Sequence, residues 1–179
     1  MRMSEEDFIF QLGQLKRTPR SGWLSIGIKG CESVAEHSFR TAAIAHMIAK
    51  GEGLPEQECR DAMLLGLMHD AHEARVGDLT KLAKKYVNGD TAPAIAGSLG
   101  PFSETVKLLE TRNPKLKTIV KDADLLEMFF QAKEYLEEGN PIASEWFAPQ
   151  KLRTKTAKKI YGRMKKRGSR AWLLEAVEW

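Results

Sequence analysis

Along most of the chain, apolar residues recur three or four positions apart, which is the spacing of amphipathic helices. No segment shows the apolar–polar alternation typical of a half-buried strand. The pattern predicts an all-α fold, a helical bundle with additional C-terminal helices. Residues 88–101 hold several glycines and prolines among small residues and are predicted to form a mobile loop. Helices are predicted at about 8–15, 34–49, 55–76, 79–86 (after an N-cap at Asp78), 103–111, 114–138, 149–166 and 169–177.

Length and composition fit one globular domain. The 179 residues are 42% hydrophobic and 29% charged, which is ordinary for a single hydrophobic core. No apolar stretch approaches roughly 18 residues, so we expect no membrane span and no membrane partner. The acidic start of the chain lacks the pattern of a signal peptide, and Cys31 and Cys59 are expected to be free thiols. We therefore expect a cytoplasmic protein.

Positive charge is concentrated near the C-terminus. The net charge is +4, yet ten of the 28 lysines and arginines fall within residues 151–170, which contain no acidic residue. Such a segment can indicate binding to nucleic acid. However, Leu152, Thr156, Ile160 and Met164 recur every four residues, so an amphipathic helix with a solvated basic face is the favoured interpretation. A nucleic-acid partner is not expected.

The doublet His69-Asp70 closes an apolar run, residues 62–68. Burying an imidazole and a carboxylate without partners is costly, and a divalent cation would relieve that cost. Two further candidate ligands lie on other predicted helices. A set of two imidazoles and two carboxylates suits Mn²⁺, Fe²⁺, Co²⁺, Ni²⁺ or Zn²⁺. The predicted metal ligands are His37, His69, Asp70 and Asp124.

The order of these ligands and their surroundings resemble the HD-domain metal-dependent phosphohydrolases, in particular the 5′-deoxynucleotidase-like branch. The stretches 20–23, 32–38 and 69–78 carry the resemblance, together with the segment around Asp124. It implies a single HD domain over residues 1–179, with a core at about 8–140 and a C-terminal helical extension at about 149–178.

The same resemblance implies an enzyme, a phosphoric monoester hydrolase that uses one divalent transition metal. The enzyme that it implies removes the 5′-phosphate from (deoxy)nucleoside 5′-monophosphates with water activated at the metal, and a homodimer would match the family. One alternative is another HD hydrolase that acts on cyclic or polyphosphorylated nucleotides. A less favoured alternative is a nucleic-acid-binding module that uses the basic segment 151–170.

Two further carboxylates are candidates for catalysis. Glu73 comes four residues after His69, one turn along the same face of a helix. The resemblance implies that it acts as a general acid–base, although it could instead be a surface residue or orient His69. For Asp78 the resemblance implies a place at the nucleotide sugar, in substrate binding or catalysis. The alternative for Asp78 is a simple helix cap.

A phosphate dianion needs basic groups near so many carboxylates. Arg20 is the leading candidate and Lys81 a further one; Arg17 and Arg40 are also considered. In the bacterial deoxynucleotidases an arginine directly precedes a tryptophan, whereas here Gly22 precedes Trp23. The resemblance implies that Trp23 crowds the 2′ position of the sugar, and the alternative is a tryptophan of the core.

Overall fold

The computed structural model describes residues 3–87 and 97–176, which form helices joined by short turns. Within these ranges there is no strand, only an isolated antiparallel bridge between Pro19 and Ser33. The predicted all-α fold class is confirmed. The α-helices are α1 Glu5–Gln14, α2 Ser21–Ser25, α3 Val34–Gly51, α4 Glu56–Met68, α5 Glu73–Val76, α6 Ser103–Arg112, α7 Pro114–Glu137 and α8 Lys155–Met164. Short 3₁₀ helices lie at Leu15–Arg17, Ala83–Lys85, Gly100–Phe102, Pro141–Trp146, Pro149–Lys151 and Ala171–Ala176.

Helices α3, α4 and α7 pack together at the centre of the fold. Their inward faces supply fully buried residues such as Ile48, Ile119 and Phe129. Gly66 lets α4 approach α3 closely, because a Cβ at this position would lie 3.1 Å from the Cα of Ala42. No helix in the described ranges is long and apolar enough to cross a membrane.

The start of α3 is fixed by a capping box. The Ser33 hydroxyl accepts a hydrogen bond from the Glu36 backbone N–H, and the Glu36 carboxylate accepts one from the Ser33 N–H at 2.6 Å. Both partners satisfy amides that the helix leaves without acceptors. The box sets the first turn of α3, so His37 follows directly on its inward face and is fully buried.

Three predicted elements differ from the structure near the doublet. The helix predicted at 55–76 ends at Met68, because the amides of Ala71 and Glu73 bond three residues back and tighten the chain into a turn. The helix predicted at 79–86 is wrong, since only Ala83–Lys85 is helical, as a 3₁₀ turn. Its predicted cap is also wrong: the Asp78 carboxylate accepts from the Ser21 N–H at 2.8 Å, while Thr80 accepts from the Ala83 N–H.

The C-terminal elements also begin later than predicted. The helix predicted at 149–166 starts at Lys155, since the backbone amides of Arg153 and Thr154 bond the Asp122 carboxylate instead. The predicted helix 169–177 is a 3₁₀ helix at Ala171–Ala176, and residue 177 lies outside the described residues. Most of the predicted mobile loop, residues 88–96, lies outside them too, and Gly100–Phe102 is a 3₁₀ helix.

Helix α8 is amphipathic, as the sequence predicts. Leu152, Ala157 and Met164 enter the main core, whereas lysines such as Lys158 and Lys159 are exposed. The basic face of this segment is therefore solvated.

Asp122 anchors the chain before α8 to α7. Its carboxylate is 1% exposed and accepts hydrogen bonds from Arg153 N–H, Thr154 N–H and the Thr154 hydroxyl at 2.7–3.1 Å. We expect Asp122→Ala to lower the free energy of unfolding by about 2–4 kcal/mol, because it leaves two amides without acceptors. Urea denaturation measures this loss. Asp61→Ala removes only a surface hydrogen bond to Gln57 and should change the free energy of unfolding little. An equal loss of stability in the two variants would contradict the anchoring role of Asp122.

Candidate metal centre

Three of the four predicted metal ligands, His37, His69 and Asp70, meet at one point of the fold, and Asp124 lies beside His37. His37 comes from α3, His69-Asp70 follow the end of α4, and Asp124 lies on α7. His69 Nε2 is 3.1 Å from Asp70 Oδ2, and His37 Nε2 is 3.3 Å from Asp124 Oδ1 and 3.7 Å from Asp70 Oδ2. The two imidazole centroids are 5.4 Å apart. Three helices far apart in sequence thus bring two nitrogens and two carboxylates together.

Both imidazoles turn the same nitrogen toward this point. His37 Nδ1 is 2.5 Å from Glu127 Oε2, and His69 Nδ1 is 2.7 Å from the Gly66 carbonyl oxygen. In a neutral imidazole whose Nδ1–H donates to such an acceptor, Nε2 keeps its lone pair for a cation.

The donor atoms fit a divalent ion. The ligand atoms of His37, His69 and Asp70 lie within 4.8 Å of one another. His69 Nε2 is buried and makes no hydrogen bond within residues 3–87 and 97–176, although Asp70 Oδ2 is near. A buried nitrogen without a hydrogen bond and two adjacent carboxylates are what a bound cation would satisfy.

Mutual attraction shifts the pKa values of these groups. Burial opposes charge on all of them, but the hydrogen bonds of His37 to Asp124 and Glu127 outweigh it and raise the His37 pKa to about 10. Burial likewise opposes ionisation of Asp70, yet His69 and Arg20 hold the pKa of that carboxyl below its usual range. The pKa of Asp124 is lowered for the same reason, chiefly by its hydrogen bond to His37. The ligands therefore form a charged, mutually paired cluster.

A cavity of about 190 Å³ adjoins the cluster. It is lined by all five residues predicted for catalysis and substrate binding, and by two of the predicted ligands. These residues are Arg20, Trp23, Asp70, Glu73, Asp78, Lys81 and Asp124.

Glu73 is the buried carboxyl of this cavity. It begins α5, is 3% exposed, and its Oε2 has no hydrogen-bond partner in the described part of the chain. Burial and the negative charges of Asp70 and Asp78 raise its pKa to about 8. A carboxyl with this pKa can both take and release a proton near neutral pH.

Arg20 is a cation beside three carboxylates of this site. Its Nη1 lies 3.4 Å from Asp70 Oδ2 and 3.8 Å from Asp78 Oδ2, and its Nη2 lies 4.0 Å from Asp124 Oδ1. Lys81 is exposed at the rim of the same cavity. Arg40 does not line it, since its guanidinium binds Glu127 and Glu134 instead.

Trp23 lines the cavity from within the core. Its side chain is 2% exposed, packs edge-on against Tyr135 at 5.2 Å and lies 4.9 Å from Trp146. The indole N–H donates to Glu32 Oε1 at 2.9 Å. A Cβ on Gly22 would come within 2.7 Å of the Trp146 ring, so an arginine directly before Trp23 would require Trp146 to move. This contact favours glycine at position 22.

The family follows from a sequence comparison: the model of the family described as HD domain matches residues 12–165. The chain belongs to the HD domain family. The predicted resemblance is thereby confirmed. The matched range extends through α8, past the predicted core at about 8–140, and the extent of the domain stays a prediction.

Relatives of this HD domain include named enzymes. The 5′-deoxynucleotidase HDDC2 of Danio rerio is 37% identical in an alignment of 146 residues that covers 75% of this chain and 71% of that protein. The solved structure of a conserved hypothetical protein from Pyrococcus furiosus is 32% identical, with a TM-score of 0.74 over 91% of this chain and 100% of that one.

The HD phosphohydrolase DatZ of cyanophage S-2L, solved with dA and one catalytic Zn²⁺ ion, is 17% identical. It has a TM-score of 0.63 over 93% of this chain and 97% of that chain, so this likeness shows the fold alone.

Two carboxylates beside His37 were not predicted from the sequence. Glu127 is 0% exposed and touches His37, and Glu32 holds the Trp23 indole. Glu127 has a signal in the sequence, since it is an acid inside the apolar run that follows Asp124. For Glu32 burial and the nearby Glu127 raise the pKa to about 7, and nothing in its neighbourhood in the sequence indicates this.

Proposed function

We propose that this HD domain is a metal-dependent phosphohydrolase that removes the 5′-phosphate from nucleoside 5′-monophosphates, with preference for the deoxy forms. The observation that carries the proposal is the convergence of two imidazole Nε2 atoms and two carboxylates beside a cavity that holds Arg20 and Glu73. The relative from Danio rerio named 5′-deoxynucleotidase supports the substrate class.

The proposed ion is held by His37, His69, Asp70 and Asp124. When bound, it would supply Lewis-acid chemistry, polarising a phosphoryl oxygen and acidifying water. The donor set suits Mn²⁺, Fe²⁺, Co²⁺, Ni²⁺ or Zn²⁺.

Four of the residues that line the cavity have a proposed part in the reaction. Glu73 takes a proton from the attacking water, whose oxygen bonds to phosphorus as the bond from phosphorus to O5′ breaks. The proton then passes to the leaving O5′, which gives nucleoside and inorganic phosphate. Arg20, Lys81 and Asp78 line the same cavity. In the proposal Arg20 and Lys81 offset the charge of the phosphate, and Asp78 binds the sugar.

A screen of phosphate release tests the substrate class. Ribo- and deoxynucleoside 5′-monophosphates are compared with 3′-monophosphates, triphosphates and cyclic nucleotides, each after EDTA treatment and with a divalent ion restored. We expect 5′-monophosphates to be the best substrates. Turnover confined to cyclic or polyphosphorylated nucleotides would instead support the other hydrolase, and salt-dependent binding of DNA without turnover would support the nucleic-acid module.

Sugar selectivity is a separate expected result. If the cavity wall formed by Trp23 faces the sugar, a 2′-hydroxyl is desolvated there without a partner, which costs roughly 1–3 kcal/mol. We expect kcat/KM for dAMP to exceed that for AMP about 10–100-fold. Trp23→Phe should narrow this ratio while keeping the aromatic packing with Tyr135 and Trp146. Equal rates for AMP and dAMP in the wild-type protein would contradict the deoxy preference.

The proposal includes a homodimer in the cytoplasm. Phe10 and Phe39 expose 79% and 74% of their surface, so each ring is available for contact with a second copy of the chain. Cys31 and Cys59 are both unpaired, in keeping with a reducing compartment. Light scattering at several concentrations measures the oligomeric state.

A further inference from the structure

Behind His37, on the side away from the other ligands, lies a buried carboxylate. Glu127 follows Asp124 by one turn of α7, and its side chain is 0% exposed. Its Oε2 is 2.5 Å from His37 Nδ1, and its Oε1 accepts hydrogen bonds from Arg40 Nε at 2.9 Å and Nη2 at 2.7 Å. Each oxygen of this carboxylate therefore has a partner of its own.

Arg40 is itself held in place from several directions. Its Nη1 donates to both carboxylate oxygens of Glu134, at 2.7 and 2.9 Å, and its Nη2 donates to Gln131 Oε1 at 2.6 Å. Glu127, Gln131 and Glu134 lie four and three residues apart, on one face of α7. The guanidinium thus neutralises Glu127 and fixes where its carboxylate lies.

The two imidazoles differ in what holds their Nδ1 atoms. His69 uses a backbone carbonyl, that of Gly66, which no substitution of a side chain removes. His37 uses the side chain of Glu127. A histidine binds a metal through one nitrogen, and the acceptor at the other nitrogen decides which of them carries the proton and how the ring is oriented.

We propose that Glu127, held by Arg40, is the positioning residue that keeps His37 in the Nδ1–H tautomer with Nε2 directed at the metal centre. The inference rests on the proposed metal site and adds to it a residue outside the four ligands. A different reading is a buried ion pair between Glu127 and Arg40 that only stabilises the packing of α3 on α7. The two readings differ in whether metal affinity changes.

Substitutions of Glu127 and of Glu134, which both accept hydrogen bonds from Arg40, distinguish the two interpretations. Glu127→Ala removes the acceptor of His37, whereas Glu134→Gln weakens the hold on Arg40 without touching His37. With Zn²⁺ and a competing chelator, we expect Glu127→Ala to raise the dissociation constant about 10–100-fold. Glu134→Gln should leave it unchanged. Glu127→Gln keeps the volume of the side chain and an acceptor oxygen, so it should fold. Its affinity for Zn²⁺ should lie between those of the other two variants, weaker than in Glu134→Gln and tighter than in Glu127→Ala.

The tautomer itself is read from long-range ¹H–¹⁵N NMR spectra of the Zn²⁺-loaded proteins. We expect a protonated Nδ1 on His37 in the wild-type protein, with slow exchange of this proton, and faster exchange in Glu127→Gln. Equal Zn²⁺ affinity and equal exchange in wild type, Glu127→Gln and Glu134→Gln would overturn the inference and leave the metal site intact. A wild-type protein that takes up no Zn²⁺ would overturn the proposed metal site as well.

Discussion

Asp70→Ala is expected to abolish both metal retention and turnover while the protein stays folded. Asp70 Oδ2 lies 3.1 Å from His69 Nε2 and 3.7 Å from His37 Nε2, so a single carboxylate oxygen is close to the Nε2 atoms of both imidazoles. Its side chain lies in the turn after α4 and outside the apolar clusters, so the substitution removes a ligand and no core volume. Elemental analysis, phosphate release and circular dichroism measure the three properties.

The control for this variant is Asp61→Ala, the same substitution on α4 at a carboxylate that bonds only Gln57 at the surface. It should keep both the ion and the activity. His69→Ala should behave as Asp70→Ala does. An unchanged metal content in Asp70→Ala or His69→Ala would contradict the proposed ligand set.

Glu73→Gln is expected to keep the ion and lose about 10²–10⁴-fold in kcat, the usual scale for general acid–base catalysis. Glu73 is not among the proposed ligands, and its buried carboxyl faces the cavity between Asp70 and Asp78. The glutamine amide has nearly the same volume as the carboxyl but cannot act as a general acid or base near neutral pH. A variant with near-normal kcat and normal metal content would show that Glu73 has no part in proton transfer.

The pH profile gives this prediction a second readout. A carboxyl acts as a base only when ionised, so kcat/KM of the wild-type protein should rise with pH until Glu73 has lost its proton. Its pKa is about 8 without an ion, and a cation beside it moves this value downward. The rise should be absent in Glu73→Gln. If kcat/KM still rises with pH in Glu73→Gln, the rise comes from the ionisation of another group.

The helices and the meeting of the ligands were accessible from the sequence for different reasons. Long amphipathic helices such as α3 and α7 can be predicted from the helical spacing of their apolar residues. The ends of α7 fall within one residue of the predicted ends. The ligands were accessible because His37, His69-Asp70 and Asp124 each stand in a distinctive local context.

Other features depend on contacts between distant residues and leave no local trace. The turn after Met68 interrupts a segment whose apolar period continues across it, so periodicity predicts one helix there. The late start of α8 depends on Asp122, more than thirty residues away from the amides that it binds. The glycine at position 22 fits against the ring of Trp146, a residue more than one hundred positions away in the sequence.

Dependence of phosphate release on a bound ion tests the central claim most directly. Protein stripped with EDTA is titrated with Mn²⁺, Co²⁺ or Zn²⁺ while dAMP hydrolysis and bound metal are measured on the same samples. We expect the stripped protein to be inactive and its activity to return in proportion to bound metal, levelling off at one ion per chain, with no recovery in His69→Ala. Hydrolysis of dAMP that survives complete removal of metal, or that returns equally in His69→Ala, would contradict the central claim.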